Sequence, residues 1–268
     1  MSKQLSIISA GASAAILESA AAIVKKVTGG KVSTTTATTA DRHAVVVGPE
    51  TPAGIHTVVT AVPAAPFPAY AGVKTVVVRA VLPRSAPDRV QLRDALDVFP
   101  AAGISTEAEE RAAAESFRRS AAVAVARARA VNASRVTLVV KQASRYTGVN
   151  GVFRRVCEEV VAAAGLSVEV QGTAAATNEL VLRPESLGVV LLNDVPATEH
   201  VELAAAGIFG GAYRTCHTNT GGSVSAGHSF KSVALAVAAE LRALGMQAEA
   251  ERVEAAAAKN PRAVVAAL

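Results

Sequence analysis

The stretch Arg135-Val-Thr-Leu-Val-Val140, followed by Lys141 and then by Gly151-Val-Phe-Arg-Arg-Val-Cys-Glu-Glu-Val160, carries the clearest structural pattern in the chain. The first segment is a run of apolar, mostly β-branched residues and reads as a buried strand. The second repeats apolar residues at helical spacing. Beyond it lie Leu180-Val-Leu-Arg-Pro184, a further apolar strand from Leu187 to Leu192, and the Gly-bearing helix end Ala204-Ala-Ala-Gly-Ile-Phe-Gly-Gly211. A lysine at the C-terminal end of a buried strand stands where an open α/β sheet places its chemistry.

Outward from this centre the alternation continues in both directions. Lys3 to Ile8 reads as a strand and Ser13 to Val27 as a helix that stops at Gly29-Gly30. Val32 to Thr39 and Ala44 to Val47 read as strands, Thr51 to Pro68 as irregular structure, Val73 to Leu82 as a strand, and Asp94 to Phe99 as another. Thr106 to Val131 is helical, with Glu107, Glu109 and Glu110 in its first turn and Arg127 and Arg129 near its end, an order that suits the helix dipole. The tail reads as helices over Lys231 to Leu244 and Met246 to Ala258, with a short one after Pro261. Strands alternating with helices predict an α/β fold with a mostly parallel sheet flanked by helices.

The 268 residues are enough for a substantial core, and the composition, 51% hydrophobic and 18% charged, is that of a globular chain. No uncharged apolar run is long enough for a membrane span. The formal charge of +5 admits an anionic partner, but the basic residues are scattered and aromatics make up only 3%, so a nucleic-acid stacking platform is not favoured. Cys157 and Cys216 belong to no metal or redox spacing and imply a reducing compartment. The N-terminus carries no clear transit peptide.

The order of segments resembles the isocitrate/isopropylmalate dehydrogenase family across almost the whole chain. Ile7 to Ala20 resembles its opening strand, turn and helix. Gly48-Pro49-Glu50-Thr51-Pro52 resembles its Gly-Pro-x-x-Thr-Pro turn, and Tyr70-Ala-Gly-Val73 its Tyr-Ala-Asn-Val segment. Arg135 to Val160 resembles the strand bearing the catalytic lysine with the helix after it. Ala205 to Gly211 and Leu241 to Gly245 resemble the C-terminal part. The resemblance implies two subdomains: a discontinuous one, 1–82 with 205–268, on the dinucleotide side, and a central one, 83–204, with the dimer or partner interface.

The family's reaction needs a divalent metal held by aspartates, arginines that clamp carboxylates, a lysine and a tyrosine that move protons, and a dinucleotide site. The resemblance places Lys141 at the catalytic lysine. It leaves Gly11, Thr51 and His217 as remnants of the nucleotide site, and Glu199 and Glu202 as the acids nearest the metal positions. The tyrosine-bearing loop has no counterpart between Val76 and Glu107. Lys74 stands where the family has an arginine, and Ala174 where it has its first aspartate. Tyr146 lies close to Lys141 in sequence but outside the family's tyrosine motif.

The losses fall on chemical positions while the core pattern is kept. The expectation is therefore a catalytically inactive relative, a structural or regulatory subunit of a larger, mitochondrial assembly. Its partners would be other protein subunits, with a homo- or heterodimer in view, and it would use no cofactor. The alternative is an active, divergent dehydrogenase using NAD(P) and Mg or Mn. A third reading is an RNA-contacting subunit of a ribonucleoprotein.

Overall fold

The structure is a computed structural model that describes residues 3–9, 13–37, 43–47, 56–60, 68–70, 72–83, 90–208, 213–218, 221–226, 230–259 and 264–268. The chain forms two compact units. The first joins Met1–Pro52 to Ala212–Leu268, and the second is Ala53–Gly211. The first is thus built from both ends of the chain.

The first unit holds β1 (Lys3–Ser9), α1 (Ala14–Thr28), β2 (Val32–Ala37) and β3 (His43–Val47). The second holds β4 (His56–Thr60), β5 (Val76–Ala80), α2 (Leu92–Ala101), α3 (Glu107–Ala130), β6 (Arg135–Val140), α4 (Thr147–Ala163), β7 (Ser167–Gly172), α5 (Thr173–Leu182), β8 (Val189–Leu192) and α6 (Pro196–Ile208). The chain then returns to the first unit with β9 (Tyr213–Thr218), β10 (Gly221–Ala226), α7 (Phe230–Ala243), α8 (Gln247–Lys259) and α9 (Val264–Ala267).

In the first unit the strands run in the order β2-β1-β3-β10-β9. All neighbours are parallel except the β9–β10 hairpin. Leu5, Ile7, Val32 and Val45 pack with α1, α7 and α8 through Ile23, Val24, Val237, Leu241 and Val253. The α1 C-terminus closes on Gly29 in the left-handed region, φ 59°, a conformation that costs glycine little.

In the second unit the order is β4-β5-β8-β6-β7. β5, β8, β6 and β7 are parallel, and β4 is antiparallel to β5. β5, β6 and β8 are largely apolar on both faces because helices cover both, whereas the edge strand β7 alternates Val168 and Val170 with Glu169 and Gln171. Val76, Val78, Val136, Leu138, Val189 and Leu191 face α2, α3 and α4. Val77, Val139, Val190 and Leu192 face α5 and α6. Strand side chains alternate, so Arg79, two residues after Val77, is sent to the α6 side. Phe117 of α3 and Phe153 of α4 meet edge to face at 5.1 Å in the other layer.

Two segments differ from the sequence reading. Asp94 to Phe99 is part of helix α2, not a strand. Leu92, Ala95 and Leu96 are its buried residues, a helical spacing that outweighs the β-preference of Val98 and Phe99. Within the Thr51 to Pro68 stretch, His56–Thr60 forms β4, an edge partner of β5. Gly221 and Gly222 open β10 and pair with Thr218 and His217 of β9.

Candidate functional site

The strands β5, β8 and β6 run parallel, so their C-terminal ends share one edge of the second unit. Arg79 on β5 lies in register with Leu192 on β8, and Asp194 follows two residues later. Thr198 then caps the entry to α6, its hydroxyl donating to the Asn193 carbonyl at 2.7 Å. This turn sets the next helical turns of α6, with Glu199 and Glu202, over Arg79.

The result is a buried ion cluster. Arg79 is 3% exposed. Its Nε donates to Glu202 Oε2 at 2.6 Å, and its Nη1 to Asp194 Oδ1 at 3.0 Å. Nη2 lies 3.6 Å from Glu199 Oε1. The Leu82 amide donates to the second Asp194 oxygen at 3.0 Å. Arg93 of α2 adds a second cation, its Nη1 3.6 Å from Asp194 Oδ1. Burial by itself would lower the pKa of Arg79, but Glu202, Asp194 and Glu199 together outweigh it and hold the guanidinium charged. Burial raises the pKa of Asp194 against the opposing pull of Arg79, Arg93 and the Leu82 amide.

Lys141 lies just past the end of β6 and is exposed. Its carbonyl accepts from Asn150 Nδ2 at 2.9 Å, and Asn150 Oδ1 in turn accepts from the buried Asn193 Nδ2 at 2.6 Å. Beside it opens a cleft of about 550 Å³ lined by Gln142, Ser144, Thr147, Asn150 and Arg154. Tyr146 is buried in the α2–α4 core rather than in this cleft, with the Arg145 guanidinium 4.7 Å from its ring centre. Among the described residues Lys141 makes no ion pair.

The sequence-predicted residues are therefore separated in role. Glu199 and Glu202 are brought together, but on Arg79 and with Asp194. Ala174 is an exposed residue of α5. The backbone of His217 lies in β9, and its side chain lies outside the described residues, as do Gly11 and Thr51. Sequence reasoning missed Arg79, Asp194 and Arg93 as a group. One signal was present: an arginine inside Val76-Val-Val-Arg79-Ala-Val-Leu82 is a charge in a buried run and requires an acid partner.

The family's divalent metal does not fit these residues. Both acids nearest the metal positions are turned onto a guanidinium, and among the described residues no cluster of three His, Cys, Asp or Glu is gathered for an ion.

No family model matches the sequence, and no curated protein does. Solved structures do match. A chain of the Euglena gracilis mitochondrial ATP synthase peripheral stalk superposes with a TM-score of 0.70 at 18% identity, covering 96% of this chain and 90% of that one. Isocitrate dehydrogenase from Methylococcus capsulatus gives 0.63 at 16% identity over 98% and 91% of the two chains. The TT0538 protein from Thermus thermophilus gives 0.63 at 17%, covering 98% of this chain and 62% of that one. The fold is thus α/β and of the isocitrate dehydrogenase kind, with parallel sheet flanked by helices.

Proposed function

We propose that this chain is a catalytically inactive, isocitrate dehydrogenase-like structural subunit of a large mitochondrial assembly, of the kind represented by an ATP synthase peripheral stalk. The observation that carries the reading is the likeness to the Euglena gracilis stalk chain, which runs nearly end to end in both proteins. An enzyme fold reused as a building block keeps its core and is free to lose its chemistry.

The site supports the same reading. The acids nearest the metal positions serve Arg79, and Lys141 is exposed beside an open cleft, with Tyr146 turned into the core. The second unit also offers a surface for another subunit. Helix α5 exposes Val181 and, at 71%, Leu182, while α6 exposes Leu203. Neighbouring exposed apolar side chains such as Val181 and Leu182 are what a partner protein would cover. No helix among the described residues is long and apolar enough to cross a membrane.

The catalytic half of the proposal is tested by assaying the purified chain with isocitrate and isopropylmalate, with NAD or NADP and with Mg or Mn. The expected result is no turnover and no quenching or enhancement of nicotinamide fluorescence. Metal-dependent reduction of either dinucleotide would restore the dehydrogenase reading.

A further inference from the structure

A divalent metal gathers its oxygen ligands around one point, at roughly 2.0–2.6 Å. The cluster on α6 is built differently. Each of three carboxylates meets a different nitrogen of one planar group: Glu202 at Nε, 2.6 Å; Asp194 at Nη1, 3.0 Å; and Glu199 at Nη2, 3.6 Å. The acids are spread around the edge of a guanidinium, which presents its donors in a rigid fork. Glu202 is fully buried and Asp194 is 3% exposed, so bulk water cannot neutralise them. Two buried carboxylates side by side need a cation at all times, not only when a ligand arrives.

We propose that Arg79 is a permanent, covalently tethered replacement for the divalent metal of the family, and that its seat is shaped for a guanidinium and not for a metal ion. The arginine comes from the strand itself, so the cation enters with the chain as it folds. It joins β5, the end of β8 and α6 without any exogenous ion. A substrate that binds as a metal chelate has no seat there. This inference stands apart from the assembly reading: a lone, unassembled chain would carry the same tethered cation.

The test is chemical rescue. Arg79→Ala removes the guanidinium with most of its stem, and ethylguanidinium is the fragment lost. The variant should melt about 10 °C below the wild type, as expected when one partner of a buried ion cluster is deleted. Ethylguanidinium, at concentrations that leave the wild-type melting temperature unchanged, should recover much of that loss, while Mn2+ and Mg2+ should recover none. Recovery by Mn2+ equal to or better than that by ethylguanidinium would overturn the proposal. So would saturable Mn2+ uptake by the wild type that Glu202→Gln abolishes. If Arg79→Ala does not accumulate folded, the same comparison is made on refolding yield after urea. Recovery with ethylguanidinium and not with Mn2+ supports the tethered cation, and recovery with neither overturns it.

A second variant, Arg79→Met, keeps the length and removes the charge. Asp194, raised by burial, then loses the opposing pull of Arg79, so stability should rise as pH falls from about 8 to about 5 more steeply than in the wild type. A profile parallel to that of the wild type would count against the proposal.

Discussion

Gly148, the second residue of α4, offers a sharp test of how the second unit is packed. A Cβ built on it would lie 2.3 Å from the Leu96 carbonyl oxygen, 2.8 Å from its carbon and 3.1 Å from Asp97 Oδ1. A carbon and a carbonyl oxygen rest at about 3.3 Å or more, so Gly148→Ala must part α2 from α4 by about 1 Å. The obstacle is backbone, which cannot rotate aside. That displacement also breaks the 2.6 Å bond from the Gly148 amide to Asp97 Oδ1. Losing a charge-assisted hydrogen bond costs about 1.5–3 kcal/mol, and overpacking a tight contact about 1–3 kcal/mol. The expected destabilisation is about 3–5 kcal/mol. Gly151, one turn further along the same helix, is the internal control, since its Cβ would meet nothing within 4 Å. Gly151→Ala should stabilise by about 0.5–1 kcal/mol through helix propensity. Urea unfolding of the two variants beside the wild type measures both. If Gly148→Ala lies within about 1 kcal/mol of Gly151→Ala, α2 and α4 do not approach this closely.

Burial pushes the Glu240 carboxyl of α7 up to about 8 from its ordinary 4.5. The folded state then binds the proton more tightly, so this residue favours folding on the acid side and loses that contribution as pH rises through about 8. Glu240→Gln should flatten the fall in stability between about pH 5 and pH 8, by at most about 5 kcal/mol, measured as urea midpoints across that range. Burial, with Glu158 beside it, raises the Cys157 thiol far above its usual value. In a Cys216→Ser chain, Cys157 should react with a thiol reagent only as fast as the protein unfolds, and rapid labelling of native protein would contradict its place in the core. Phe117→Ala removes one ring of the buried pair with Phe153 and should cost about 3–5 kcal/mol in the same unfolding assay.

Much of the fold was legible because its signals are periodic. The runs at Val136–Val140 and Val189–Leu192 are apolar but for Thr137, as parallel strands covered on both faces must be, and they lie side by side in the sheet. The acids and arginines at the two ends of α3 marked its limits. Other elements left weaker traces. α2 is short and contains Val98, Phe99 and Pro100, whose local preferences oppose its helix, and only the burial of Leu92, Ala95 and Leu96 decides it. β4 lies in a stretch rich in Pro and Ala, where its five residues gain order from pairing with β5.

The site was less legible than the fold, because its partners are far apart in sequence. Lys141 and Glu202 could be named from resemblance, but the ligand of Glu202 is Arg79, 123 positions earlier. Strand alternation alone would have sent Arg79 to the same face as Val77, and only the register of β5 with β8 brings Asp194 to it. Side-chain identity suggested a metal remnant, whereas the geometry around the guanidinium describes an internal ion cluster.

As proposed above, this chain works as a non-catalytic subunit of a large assembly. The most direct measurement is purification from the native source under mild conditions, with the mass of the particle and its co-purifying chains determined together. The chain is expected to migrate in a large, stoichiometric complex with other proteins and to show no dehydrogenase activity there. A chain recovered alone or as a simple dimer that reduces NAD or NADP in the presence of Mg or Mn would contradict it.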